Sequence, residues 1–272
     1  RATTLAAIFG VTSLTAGAAL AKSPEAPGLF SKVPITPSTV LPREAIAGKS
    51  NAVKINRGQL RSGRFLVNLP GGVSYQAVRE LHQDFGNGRS SWVRHAGNDP
   101  DSSVVLGISG NAVAGSFSYK GKLFKLEPRA DGSQVVSEVN ATDPAPELDA
   151  IPVADTVSTA PAATVSGDSS ADSAGAVIDV LVAYTPAIRS LYGTPGAEAL
   201  IIQAVAEANL AYTNSKMTTR LNLVSSVETS YTESGDMLTD LSRLRTTNDG
   251  YLDELHTLRN TYNADIVSLI AD

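Results

Sequence analysis

Imidazole is scarce in this sequence: His82, His95 and His256 are the whole supply. A zinc centre needs three or four converging ligands, and a helix supplies two of them at i,i+4 in HExxH. No two of these histidines have that spacing, and no HExxH occurs. His256 sits in DELHTLRN two positions after Glu254, so the two point to different sides of a helix. It reads as a surface histidine on a charged helix, and His82 and His95 carry no motif. The absence of cysteine excludes thiolate ligands, a cysteine nucleophile and disulfides within these residues. No G-x-S-x-G marks a nucleophilic serine. VLGISGNAVAG lacks the GKS or GKT ending and the strand-loop-helix setting of a phosphate loop, and reads as a hairpin. A net charge of -5 gives no electrostatic footprint for nucleic acid. On chemistry alone, these residues present no active site.

The elements that would position any site fall into distinct stretches. Arg1 precedes an uncharged, largely apolar run that ends Ala19-Leu20-Ala21. This is the layout of a secretory signal peptide cleaved after Ala21, and the alternative is a membrane anchor. Residues 22–60, with SPEAPG, VPITPS and LPRE, read as an extended or partly ordered lead-in. From 61 to 140 the sequence predicts a mostly-β unit. RFLVNL, SWVRH, VVLGIS, AVAGSFSY, KLFKLEP and QVVSEV are strand candidates, and Gly-Asn, Lys-Gly and Asp-Gly steps between them suit tight turns. Its spacing favours an antiparallel meander, with one or two helical turns at AVRELHQDF, 77–85. Residues 141–176 contain six acidic residues, no Lys or Arg and no aromatics, which marks a linker open to proteolysis.

Residues 177–272 change character again. VIDVLVAYT is a strongly apolar strand. Thr194-Pro195 looks like an N-cap with proline at N1, and Leu200, Ile201, Ala204, Val205, Ala208 and Tyr212 then recur at helical spacing. RLNLVSSVETSY, DMLTDLSRLR, GYLDELHTLRNTY and DIVSLI complete a β-α-β-α-α-β order, an α/β layered arrangement. A last buried strand with no following element predicts that a domain is truncated after it. The layout suits a secreted precursor. It suits equally an exported binding or surface protein without enzymatic chemistry.

A resemblance distinguishes the two. VIDVLVAYTPAIR, AVAEANLAYTNSKMTTRLNLVSSVETSYTESGDMLTDLSRL and DGYLDELHTLRNTYNADIVSLI resemble the N-terminal half of a reprolysin-like metzincin domain, closest to the bacterial peptidyl-Asp metalloendopeptidases. SWVRHAGNDPDSSVVLGISGNAVAGSFSYKGKLFKLEP is similar, more loosely, to the propeptide of such enzymes. The resemblance implies an α+β multidomain precursor: a mostly-β propeptide domain, then a truncated metzincin-like catalytic domain. It also implies a secreted zinc endopeptidase that cuts protein or peptide substrates on the N-terminal side of Asp. In the family, zinc is held by HExxHxxGxx followed by His or Asp, and the Glu acts as general base. All of these are expected beyond Asp272, so this portion is expected to be inactive. The propeptide is expected to inhibit from within the chain, by a means other than a cysteine, since there is none. Asp155, Asp168 and Asp172 become candidate first residues after maturation. The family also implies possible calcium ligands at Asp179 and Asp265. The bland reading is that Asp179 pairs with a nearby backbone or basic group, and that Asp265 merely caps a turn.

Overall fold

A computed structural model describes residues 28–35, 41–42, 44–62, 64–96, 99–140 and 175–272. The signal stretch at 1–21 and nearly all of the linker lie outside the described residues.

The first unit is a nine-stranded antiparallel sheet. Its strands are β1 (Phe30–Val33), β2 (Ala45–Ile55), β3 (Arg64–Asn68), β4 (Ser74–Gly86), β5 (Arg89–Ala96), β6 (Asp99–Ser109), β7 (Ala112–Tyr119), β8 (Lys122–Pro128) and β9 (Gln134–Val139). A single-turn helix, α1 (Arg57–Arg61), lies between β2 and β3. From β3 to β9 each strand pairs with the next, and β2 and β1 then add beyond β9. The two ends of the sheet meet. Gly28 bridges to Leu66, and Asn68 clamps Phe30 by accepting from its N–H and donating to its carbonyl. Closure removes the exposed edges that an open sheet carries.

The meander follows from local signals. Lys120 (φ 50°) and Gly121 (φ 73°) form the turn between β7 and β8, and Asn87 (φ 53°) and Gly88 (φ 74°) form the one between β4 and β5. Positive φ at both positions is what a two-residue hairpin loop requires. Period-2 alternation does the rest: Val104, Leu106, Val113, Phe117, Phe124 and Val136 turn inward onto one core.

Two expectations change here. Residues 77–85 are strand rather than helix. Val78 and Leu81 are exposed, whereas Tyr75 and Ala77 are buried. The segment lies between β3 and β5, whose ladders claim its backbone groups, so tertiary pairing outweighs local propensity. The proline-rich lead-in also contributes β1 and β2, because Phe30 and Val53 find partners in the same core.

The second unit follows the β-α-β-α-α-β order. It comprises β10 (Val177–Tyr184), α2 (Pro186–Asn214), β11 (Arg220–Glu228), α3 (Met237–Arg245), α4 (Asp253–Tyr262) and β12 (Ile266–Ile270). All three strands are parallel, with β10 between β11 and β12. The centre strand is covered on both faces. Val180, Val182 and Tyr184 meet α2, and Leu181 and Ala183 meet the α4 side, where Leu252 and Leu255 sit. This explains why the stretch from Val180 to Tyr184 is continuously apolar instead of alternating. Thr185 caps α2 with Pro186 at N1, and Asp236 caps α3 by accepting from Thr239 N–H. Helix α2 is interrupted at Gly193 (φ 69°, ψ 162°), so Thr194-Pro195 opens its second segment as the sequence suggests.

The two units touch. The outer faces of β5 to β8 pack against α2. Val93 and Val105 meet Ala206, and Ala112 and Ala114 meet Ala199.

Candidate functional site

Asp179 is the one charged side chain in β10. An acidic group in an apolar strand needs partners, and it has them. Its carboxylate accepts from Asn222 Nδ2 at 2.8 Å, across the β10–β11 pairing. Its main chain is closed by Asp265, just before β12. Asp265 N–H donates to the Asp179 carbonyl, and Asp179 N–H donates to Asp265 Oδ2, each at 2.8 Å. The fold therefore brings together the two residues that the sequence singles out. One oxygen of each carboxylate is engaged by protein donors. Calcium takes six to eight oxygens, and among the described residues no group of three or more His, Cys, Asp or Glu could hold a metal ion.

The histidines stay apart. His82 lies against Trp92, ring centroids 4.6 Å apart. His95 bonds the Ser102 carbonyl at 2.6 Å and Glu80 at 2.7 Å. His256 differs from the expected surface residue: it is half-buried, and its Nε2 is sequestered without a hydrogen-bond partner. It lines a cavity of about 320 Å³ with Leu241, Leu244, Arg245, Arg259 and Val267. The cause is the bend between α3 and α4, which folds Leu244 onto Leu255 and Leu258 and carries His256 inward. Zinc has no fitting ligand set among the described residues.

Two polar knots at the carboxyl ends of the strands escaped sequence reasoning. Ligands of open α/β sheets gather at this end. Thr185, fully buried, donates to Glu233, which also accepts from Asp272 N–H at 3.1 Å. Beside it, Arg189 binds Glu228 at 2.6 Å. The second knot fastens α3. The Tyr231 hydroxyl and Ser234 N–H donate to Asp240, and Arg243 donates to the Tyr231 hydroxyl at 3.1 Å while lying 4.0 Å over the Tyr251 ring. Burial works to raise the Asp240 pKa. The bonds from Ser234 and Tyr231, with the Arg243 charge, outweigh it and hold the group below the usual Asp range. Burial, then the bond to Asp240, pushes the Tyr231 hydroxyl up. The sequence signal was an Asp on the inner side of an amphipathic helix, facing a Tyr on the preceding loop.

The other face of the sheet carries an apolar cavity of about 430 Å³ against α2, lined by Val180, Val182, Ile201, Leu221 and Ile270. Its polar lining is confined to Ser268 and Tyr212, and nothing basic or acidic lines it.

With this geometry in view, likeness to known proteins assigns the α/β unit. A family model described as Metallo-peptidase family M12B Reprolysin-like matches residues 174–272. The peptidyl-Asp metalloendopeptidase of Xanthomonas campestris pv. campestris is 40% identical over 176 residues, which cover 63% of this chain and 41% of that protein. The protein of the same name in Stenotrophomonas maltophilia strain R551-3 is 36% identical over 219 residues, 73% of this chain and 51% of that one. Strain K279a has a counterpart with the same figures. The chain spans about half the length, or less, of these curated relatives. Both spans are longer than 174–272, so the likeness takes in part of the β unit as well. Residues 174–272 are thus similar to the reprolysin-like metallopeptidases of family M12B.

Proposed function

We propose that this chain is the first portion of a secreted precursor of a zinc metalloendopeptidase that cleaves proteins or peptides on the N-terminal side of Asp. The observation that carries this reading is the coincidence of boundaries. The M12B match begins where the α/β unit begins, and the longer likeness to peptidyl-Asp metalloendopeptidases continues back into the β unit. The β unit is then the propeptide and, in this reading, an intramolecular inhibitor. Secretion rests on the sequence of residues 1–21 alone. Among the described residues, no helix is long and apolar enough to cross a membrane.

The metal is assigned by family and not by these residues. Zinc would supply a Lewis acid and an activated water; among the described residues no ligand set fits it, and in this reading its ligands belong to a continuation after Asp272. What the present residues do is build the parallel sheet and back it with helices on both faces. Asp179 and Asp265 remain the proposed calcium ligands. The oxygens not engaged by Asn222 and by Asp179 N–H are free to coordinate, with carbonyls and water completing the shell.

The deciding experiment begins with the coding sequence after Asp272. A helix with paired histidines is expected there. The protein carrying it should cut peptides before Asp and lose that activity to a chelator. A stop codon at that point, or a continuation without paired histidines, would sink the reading. For calcium, the melting temperature should rise on adding calcium and not on adding magnesium, and Asp265→Asn should abolish the rise.

A further inference from the structure

The contact between the two units is built more closely than a tether requires. Helix α2 lies along the β6–β7 hairpin. Glu198 accepts from Ser109 near the hairpin tip, and Glu207 accepts from Ser116 farther down. The spacing matches on both sides. Nine helical residues rise about 14 Å. Ser116 pairs with Val105, four strand residues from Ser109, and this also spans about 14 Å. Between the two bonds the surfaces meet at backbone distance. A Cβ on Gly107 would lie 2.1 Å from the Ala199 carbonyl and 2.5 Å from Gln203 N. Ala112 and Ala114 stay small opposite Ala199. Beyond the tip, Ala130 N–H donates to the Leu191 carbonyl at 3.0 Å, and Gly196 sits against Pro128. The outer face of β6 and β7 is buried by this helix, not by anything in its own unit.

We propose that the β unit and α2 form a protein–protein interface that needs no covalent connection, so that scission between residues 140 and 174 leaves a two-chain complex. The partner of each unit is the other. The β unit is retained as a bound subunit after the cut, and its release is a second, separate event. This goes beyond the peptidase reading and holds whether or not the full protein cuts peptides.

The test uses the full chain with a recognition sequence for an added protease placed between residues 141 and 173. After cutting, both pieces are expected in one gel-filtration peak, at the position of the uncut chain. Two separate folded peaks would overturn the proposal. Gly107→Leu should split the peak after cutting, because no side chain fits between β6 and Ala199. If that variant is insoluble, Ser116→Glu decides: it sets a carboxylate against Glu207 and should also split the peak. Adding Glu207→Ser reverses the donor–acceptor pair and should restore the single peak. Co-elution that survives both Gly107→Leu and Ser116→Glu would show that the pieces are held elsewhere. No peptidase activity is read, so these outcomes are independent of the assay on the longer protein.

Discussion

QVVSEV is the more polar string and IVSLI the more apolar, yet β9 is buried at all six positions and β12 at none. The difference lies in their neighbours. β9 runs between β2 and β8 in a sheet whose ends are joined, with hydrophobic core on its inner side. β12 has β10 on one side only, and Ile266 remains 47% exposed. Burial is thus set by how many faces and edges are covered, and a strand's own residues say little about that. The same contrast separates the two units: one is closed, while the other leaves apolar surface on an edge strand.

That comparison can be broken most directly at its strongest point. Phe117 is fully buried and meets Phe30 edge-on, centroids 5.8 Å apart. Phe117→Ala should cost about 3–5 kcal/mol, read as an earlier urea transition of the β unit by tryptophan fluorescence, since Trp92 sits in the same core. A loss below about 1 kcal/mol would mean that the closed core is looser than its burial indicates. Next in size is Gly193→Ala. Its φ of 69° with ψ 162° belongs to a region open essentially to glycine, and the nearest atom to an added Cβ is 3.6 Å away, so strain and not collision is tested. The expected loss is about 1–3 kcal/mol, seen as a lower melting temperature of the α/β unit.

The Asp240 knot sharpens the contrast through pH. Its folded pKa lies below the ordinary value, so its stabilisation is complete above about pH 4 and disappears as pH falls through the folded value. Asp240→Asn should lower the melting temperature at pH 7 and should flatten the loss of stability below pH 4. Equal acid sensitivity in both proteins would show that other carboxylates dominate. The smallest effect is expected at the open edge. Ile266→Ser should change stability by no more than about 0.5 kcal/mol, measured by a urea titration of the α/β unit followed by its helical circular dichroism. A large loss there would mean that β12 is covered, contrary to its exposure.

Much of the fold was legible, for local reasons. Asp236 caps α3 because its carboxylate reaches Thr239 N–H within the same turn. The Lys120-Gly121 step turns the chain because both residues take positive φ. That Asp179 needs a partner was legible, since a charge inside an apolar strand demands one; Asp265 was singled out only by the family resemblance. The details of the pairing were not legible, because Asn222 is 43 residues away from Asp179 and Asp265 is 86. The Tyr231–Asp240 contact likewise depends on how the loop before α3 returns.

The sequence by itself decided the order of elements in 177–272, the meander from VVLGIS onward, the hairpin turns and the helix caps. Each depends on dihedral preferences or on groups a few residues apart. Tertiary structure alone decided that 77–85 is strand, that the proline-rich lead-in joins the sheet, that His256 turns inward and that VVLGIS and AVAGSFSY are buried on both faces. These outcomes depend on what the other strands and α2 bring alongside. A residue's own periodicity can say which of its faces is apolar, but what covers that face is settled only when segments distant in the chain come to share one surface.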